Sequence, residues 1–123
     1  MRSLYSVLMW LAQPWLRLKL ARRAVAEPLY GEKIAERFGR YSTAPELRPA
    51  LVWVHAVSLG ETRASALLVA KLRHALPGMR LLLTHGTATG MAEGQALLTE
   101  GDVQVWQPWD TPSATRRFVA HFR

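Results

Sequence analysis

Glu61 is the residue of this chain best placed by type and spacing to do chemistry. It closes the run Trp53-Val54-His55-Ala56-Val57-Ser58-Leu59-Gly60-Glu61, in which an apolar stretch passes through a small-residue turn to a carboxylate. Ser58, three residues before it, has the type and place of a helix N-cap, and the pair has the spacing of a capping box. A carboxylate at such a point can also accept a proton as a general base. Glu61 therefore reads as either a cap or a catalytic group.

Other chemistries find less support. The chain has no cysteine, which excludes disulfide frameworks, thiolate metal sites and cysteine nucleophiles. His55, His74, His85 and His121 show no paired spacing of the HExxH kind, so no metal site is expected. Ser58 lacks the glycine two positions earlier that a nucleophile elbow requires, which argues against a serine hydrolase. A second small-residue loop, Thr84-His85-Gly86-Thr87-Ala88-Thr89-Gly90, offers hydroxyls and amides suited to phosphate or sugar hydroxyls, although threonines before a helix are usually caps. It is no P-loop, having neither the lysine nor the spacing. Asp110, followed by Pro112, reads as the cap of a last helix, with Trp106 and Trp109 as packing residues.

These residues need a scaffold, and the change of hydrophobic period supplies one. Leu51 to Val57 is nearly all apolar, as in a strand buried on both faces. From Glu61, the residues Ala64, Leu67, Leu68, Leu72 and Leu76 recur at helical spacing and predict a helix packed through that face. Arg80 to Thr84 reads as a second strand, Thr89 to Leu98 as a helix, Val103 to Trp106 as a third strand, and Pro112 to Phe118 as the start of a last helix. The order βαβαβα predicts an α/β, Rossmann-like sheet of three parallel strands with flanking helices. In such sheets ligands bind beyond the carboxyl ends of the strands, where Ser58, Gly60 and Glu61 lie. A full doubly wound domain has about six strands, so residues 51–123 read as a partial domain, incomplete at the C-terminus.

The first fifty residues differ in character. Leu4 to Leu16 is apolar and carries tryptophans, yet it is shorter than the roughly 20 residues of a membrane span. Arg17, Lys19, Arg22 and Arg23 follow at once, within a chain of net charge +7. An apolar helix flanked by cations suits an anionic membrane surface, whereas nucleic acid would usually want the charge spread along a groove. Residues 1–26 thus read as an amphipathic, membrane-associated leader whose basic end stays on the cytoplasmic side. A cleaved signal peptide ending at Ala24-Val25-Ala26 is the competing reading, opposed by the four intervening cations. Residues 27–50 read as a short charged helix from Pro28, stopped by Gly39, and a linker over Ser42 to Pro49.

Taken in order, these elements resemble the amino-terminal domain of the 3-deoxy-D-manno-octulosonic acid (Kdo) transferases over essentially the whole chain. Leu4 to Arg23 is similar to the family's apolar, basic-flanked leader. Glu36-Arg37-Phe38-Gly39 resembles its ERxG element, and Val54 to Glu61 its H-x-x-S-x-G-E signature. Thr84 to Gly90 resembles its TxxTxTG loop, and Gln107-Pro108-Trp109-Asp110 its LPYD element, changed at Gln107 and Trp109.

The resemblance implies the amino-terminal half of a GT-B glycosyltransferase. It further implies inverting, metal-free transfer of Kdo from CMP-Kdo to a lipid A precursor at the cytoplasmic face of the inner membrane, with no cofactor beyond the donor. Glu61 falls on the proposed base, and Ser58, Gly60, Thr87, Thr89 and Gly90 on the substrate-binding loops. Arg17, Lys19, Arg22 and Arg23 would meet lipid. The family's later donor-binding elements do not occur in these residues, so the isolated chain is expected to be inactive. Two alternatives stand beside this: a non-catalytic membrane-surface module, and a GT-B transferase acting on another lipid.

Overall fold

The computed structural model describes residues 2–43 and 51–123. Its elements are α1 (Arg2–Ala26), β1 (Leu51–His55), α2 (Leu59–Ala75), β2 (Arg80–His85), α3 (Ala88–Gly94), β3 (Val103–Trp106) and α4 (Pro112–Phe122). The strands form one parallel sheet in the order β1-β2-β3, with Trp53 beside Leu82 and Thr84 beside Val105. The Rossmann-like α/β reading is thereby met. The linker expected over Ser42 to Pro49 falls largely outside the described residues.

Alternation along β2 explains the layering. Leu81 and Leu83 project to one side, where they pack with Val69 of α2 and Met79. Leu82 projects to the other, against Val105, Phe118 and Phe122. All three leucines are fully buried, each worth about 1.5–3 kcal/mol of hydrophobic stabilisation. A third cluster joins Leu20 of α1 to Tyr30, Ala88, Met91 and Trp106, so the leader helix docks on the carboxyl-end side of the sheet.

Several local expectations are corrected. β1 borders the sheet and is only partly covered, Trp53 being 54 % exposed, so it is not buried on both faces. The helix after Glu61 does not turn Leu67, Leu68 and Leu76 inward; all three are exposed, and Thr62 and Val69 are buried instead. Polar partners set that rotation. Thr62 Oγ1 donates to the Ser58 carbonyl, and one face-repeat beyond Val69 the guanidinium of Arg73 reaches Asp102 at 2.5 Å. The α4 cap is Thr111, whose Oγ1 accepts the Ala114 N–H at 3.2 Å, while Asp110 accepts from the Tyr5 hydroxyl of α1.

The charged helix expected from Pro28 resolves into two 3₁₀ turns, Pro28–Gly31 and Ile34–Phe38, separated by Lys33 at φ 48°. Gly39 does end it, at φ 73°, where a Cβ would lie 2.4 Å from the Ala114 carbonyl oxygen. Helix α3 starts at Ala88 and gives way to a 3₁₀ turn, Gln95–Leu97.

Candidate active site

The first loop is built around Val57. Its N–H donates to Glu61 Oε2 at 2.8 Å, and its carbonyl accepts the N–H groups of Gly86 and Thr87 and the Thr87 hydroxyl, all at 3.0–3.1 Å. Ser58 Oγ accepts the Glu61 N–H at 3.4 Å, so the cap half of the reading is present, with the glutamate reaching the amide one residue before the N-cap. Among the described residues no further hydrogen bond holds the Glu61 carboxylate, which stays exposed at the start of α2. One oxygen is oriented and the other faces solvent.

The second loop packs directly on the first. Thr87 caps α3 by accepting the Gly90 N–H, and a Cβ at Gly90 would stand 3.1 Å from the Val57 carbonyl oxygen. The hydroxyl of Thr87 is thus spent within the protein, while Thr89 is exposed and only 3.4 Å from Thr87 Oγ1. Gly60 is exposed, and a Cβ there would meet nothing within 4 Å. Ser58, Gly60, Glu61, Thr87, Thr89 and Gly90 are therefore brought together at the carboxyl edge of β1 and β2.

Beneath them lies a polar core that spacing did not reveal. His85 Nδ1 donates to the Ala56 carbonyl at 2.8 Å, and its Nε2 accepts from Gln104 at 3.0 Å, which fixes the neutral tautomer. Burial pushes the His85 pKa down, against the pull of the Ala56 carbonyl. His55 and Trp53 share the buried Thr84 hydroxyl, at 2.8 and 2.9 Å. Among the described residues no group of histidines and carboxylates could hold a metal ion.

Glu36 and Arg37 are the largest surprise, because charged neighbours in a short segment read as a solvated face. Both are buried, at 2 % and 5 % exposure. Glu36 Oε2 accepts the Trp106 N–H at 2.8 Å, and burial raises its pKa despite that bond and the charges of Lys33 and Arg37. Arg37 donates to the Gly86 carbonyl at 3.0 Å and lies 4.0 Å over the Trp106 ring. Its pKa is pushed down to about 10 by burial, which leaves it charged at neutral pH.

Lys19 and Arg23 line a cavity of about 230 Å³ with Tyr30, Arg37, Gly86 and Gln107. Arg17 stacks over Phe38 at 4.5 Å, and Arg22 borders a shallow groove along α1 that Lys19 and Arg23 also line, with Lys19 Nζ 5.1 Å over the Trp15 ring. A larger cavity of about 980 Å³ between α1 and α4 is lined by Tyr5, Asp110, Val119 and Arg123 and does not include Glu61.

Fold and site define the class: a Rossmann-like α/β unit with an oriented carboxylate at the carboxyl edge of its parallel sheet. The profile of a family described as 3-Deoxy-D-manno-octulosonic-acid transferase (kdotransferase) matches residues 32–123. The chain is 45 % identical over 126 residues to the 3-deoxy-D-manno-octulosonic acid transferase of Bordetella pertussis, covering 97 % of this chain and 29 % of that protein. It is 30 % identical over 118 residues to the protein of the same name from Haemophilus influenzae, covering 96 % of this chain and 28 % of the relative. No solved structure matches. The chain belongs to the Kdo transferase family, and it spans under a third of the length of these relatives.

Proposed function

We propose that these residues form the acceptor-side part of a GT-B glycosyltransferase that moves Kdo from CMP-Kdo to a lipid A precursor. The observation that carries this is the exposed carboxylate of Glu61, held by one oxygen to the Val57 N–H at the mouth of the sheet. An acceptor hydroxyl is a weak nucleophile until its proton is removed, and a positioned carboxylate that takes it contributes roughly 10²- to 10⁴-fold. The Val57 amide orients Glu61 toward that task. The N-terminus of α2, whose first amides have no partner within the helix, favours negative charge nearby. Ser58, Gly60, Thr87, Thr89 and Gly90 then frame the acceptor and the departing group. Donor selection belongs to a second domain that these residues do not include, and transfer proceeds with inversion and without a metal.

The leader supports a place at the cytoplasmic face of the inner membrane. No described helix is long and apolar enough to cross a membrane. α1 nevertheless leaves Leu4, Leu8, Trp10, Leu11 and Trp15 each more than half exposed, beside Arg17 and Arg22. An apolar face edged by cations lies in an anionic interface.

That exposed face also favours a second reading, a non-catalytic membrane-surface module. A chimaera of residues 1–123 with the remaining sequence of the Bordetella relative separates the two. Glu61→Gln in that chimaera is expected to lose Kdo transfer while keeping liposome flotation. Flotation without Kdo transfer by the unsubstituted chimaera would favour the module reading, whereas unchanged transfer in Glu61→Gln would remove the base role alone.

A further inference from the structure

β1 turns Val52 and Val54 toward α2, so Trp53 and His55 face the other side of the sheet, where the Trp53 ring lies 4.8 Å from that of Phe118 in α4. His55 is the register partner of Thr84 on β2, and its Nδ1 lies 2.8 Å from the Thr84 hydroxyl. The Trp53 indole N–H donates to the same oxygen at 2.9 Å. An indole can only donate, so this contact occupies a lone pair of Thr84 and leaves the hydroxyl proton to be placed. Thr84 is fully buried, and among the described residues His55 Nδ1 is the acceptor in reach of that proton. Nδ1 is therefore the accepting nitrogen, and the ring proton sits on Nε2. His85, by contrast, spends both of its nitrogens within the protein. Among the described residues no hydrogen bond reaches His55 Nε2, and the side chain is exposed at the carboxyl end of β1.

We infer that Thr84 holds His55 as a fixed N–H donor and that this Nε2–H bonds a sugar oxygen of the acceptor beside Glu61. The inference rests on the transfer reading and divides the labour within it. A base needs a free lone pair, and His55 has none to give: that of Nδ1 is taken by Thr84, and Nε2 already carries a proton. Proton removal is left to Glu61. Val57, whose N–H orients Glu61, follows His55 by two residues, so at most about 7 Å of backbone separates their Cα atoms. His55 comes from the α4 face of β1 and Glu61 from α2 on the other. A sugar offers several oxygens, one to lose its proton to Glu61 and another to take the His55 N–H.

The test has two arms. Two-bond proton–nitrogen NMR spectra of the chain in mildly alkaline buffer report the ring directly, and His55 is expected with Nε2 protonated and Nδ1 bare. The second arm measures Kdo transfer by the chimaera of residues 1–123 with the Bordetella relative. His55→Leu should raise KM for the lipid A precursor about three- to tenfold, the worth of one neutral hydrogen bond, and leave kcat within about twofold and the melting temperature unchanged. His55→Gln, which keeps an N–H donor at the end of its side chain, should bring KM back to within about twofold of the parent. Thr84→Val removes the brace from the ring and should raise KM in the same direction. A histidine that transfers protons would instead lose kcat in the leucine and glutamine variants alike, and a merely structural one would lower the melting temperature without moving KM. A proton on Nδ1 alone, an unchanged KM in His55→Leu, or a glutamine variant as impaired as the leucine one overturns the inference while transfer stands. Absence of transfer by the unsubstituted chimaera overturns the transfer reading and takes the donor role with it.

Discussion

Arg37 donates from Nη2 to the carbonyl of Gly86 at 3.0 Å, across 49 residues of sequence. The bond fastens the turn that precedes the sheet to the loop that closes β2. From Gly86 the path continues through the Val57 carbonyl and amide to Glu61. A buried arginine in the Glu36-Arg37-Phe38-Gly39 segment thereby bears on a carboxylate it never touches.

Arg37→Lys should destabilise the chain by about 1–3 kcal/mol, because an ammonium cannot both lie flat on Trp106 and reach Gly86. Urea unfolding followed by circular dichroism measures this. A midpoint equal to that of the unsubstituted chain would show that the bond is dispensable.

Three glycines should respond differently to alanine. Gly94→Ala places a Cβ 2.5 Å from His85 Nε2 and 2.6 Å from Gln104 Nε2, both parts of a packed network, and should cost about 1–3 kcal/mol. Gly39→Ala meets backbone at 2.4 Å from a positive φ and should cost at least as much. Gly60→Ala meets nothing, and in the first turn of α2 should be neutral or stabilising by up to about 1 kcal/mol. Thermal melts order the three, and a Gly60→Ala variant less stable than Gly94→Ala would contradict the packing described.

Two carboxylates give stability opposite slopes in pH. Glu36 has its folded pKa raised, chiefly by burial, above the ordinary glutamate value of about 4.3. Between the two values the native state binds more protons, so its contribution favours folding at low pH and declines as pH rises through the folded pKa. Asp102 is the reverse. Burial alone would raise its pKa, but bonds from Arg73 and from the Leu81 and Thr99 amides outweigh that and lower it. Its stabilisation is present above about 3.9 and lost as pH falls through the folded pKa. Denaturant midpoints from acid to neutral pH, taken as differences between parent and variant, should show Glu36→Gln gaining toward neutral pH and Asp102→Asn losing there. The same sign for both would refute the assignment.

The framework was legible because period and turn chemistry agree: the valine-rich run to Val57, the leucines of β2 and the caps Ser58 and Thr87 each specify their element locally. Tertiary contacts decided the rest. Thr62 is buried because the Ser58 carbonyl and His85 reward its hydroxyl, which carries α2 away from the face its leucines suggest. Glu36 and Arg37 look like surface charge until Trp106 and Gly86 are placed beside them, 70 and 49 residues away. No spacing rule sees such pairs. The loops carrying Glu61 and Thr89 could be read from sequence, whereas the hydrogen bonds that join Trp53 and His55 to Thr84 could not.

The central claim concerns what Glu61 does beyond capping, and Glu61→Gln in the chimaera with the Bordetella relative tests it directly. Glutamine keeps an oxygen for the Val57 N–H but cannot take a proton, so the melting temperature should hold while the turnover number for Kdo transfer falls roughly 10²- to 10⁴-fold. Transfer at the unsubstituted rate, with the fold intact, would contradict the account and leave Glu61 as a cap alone.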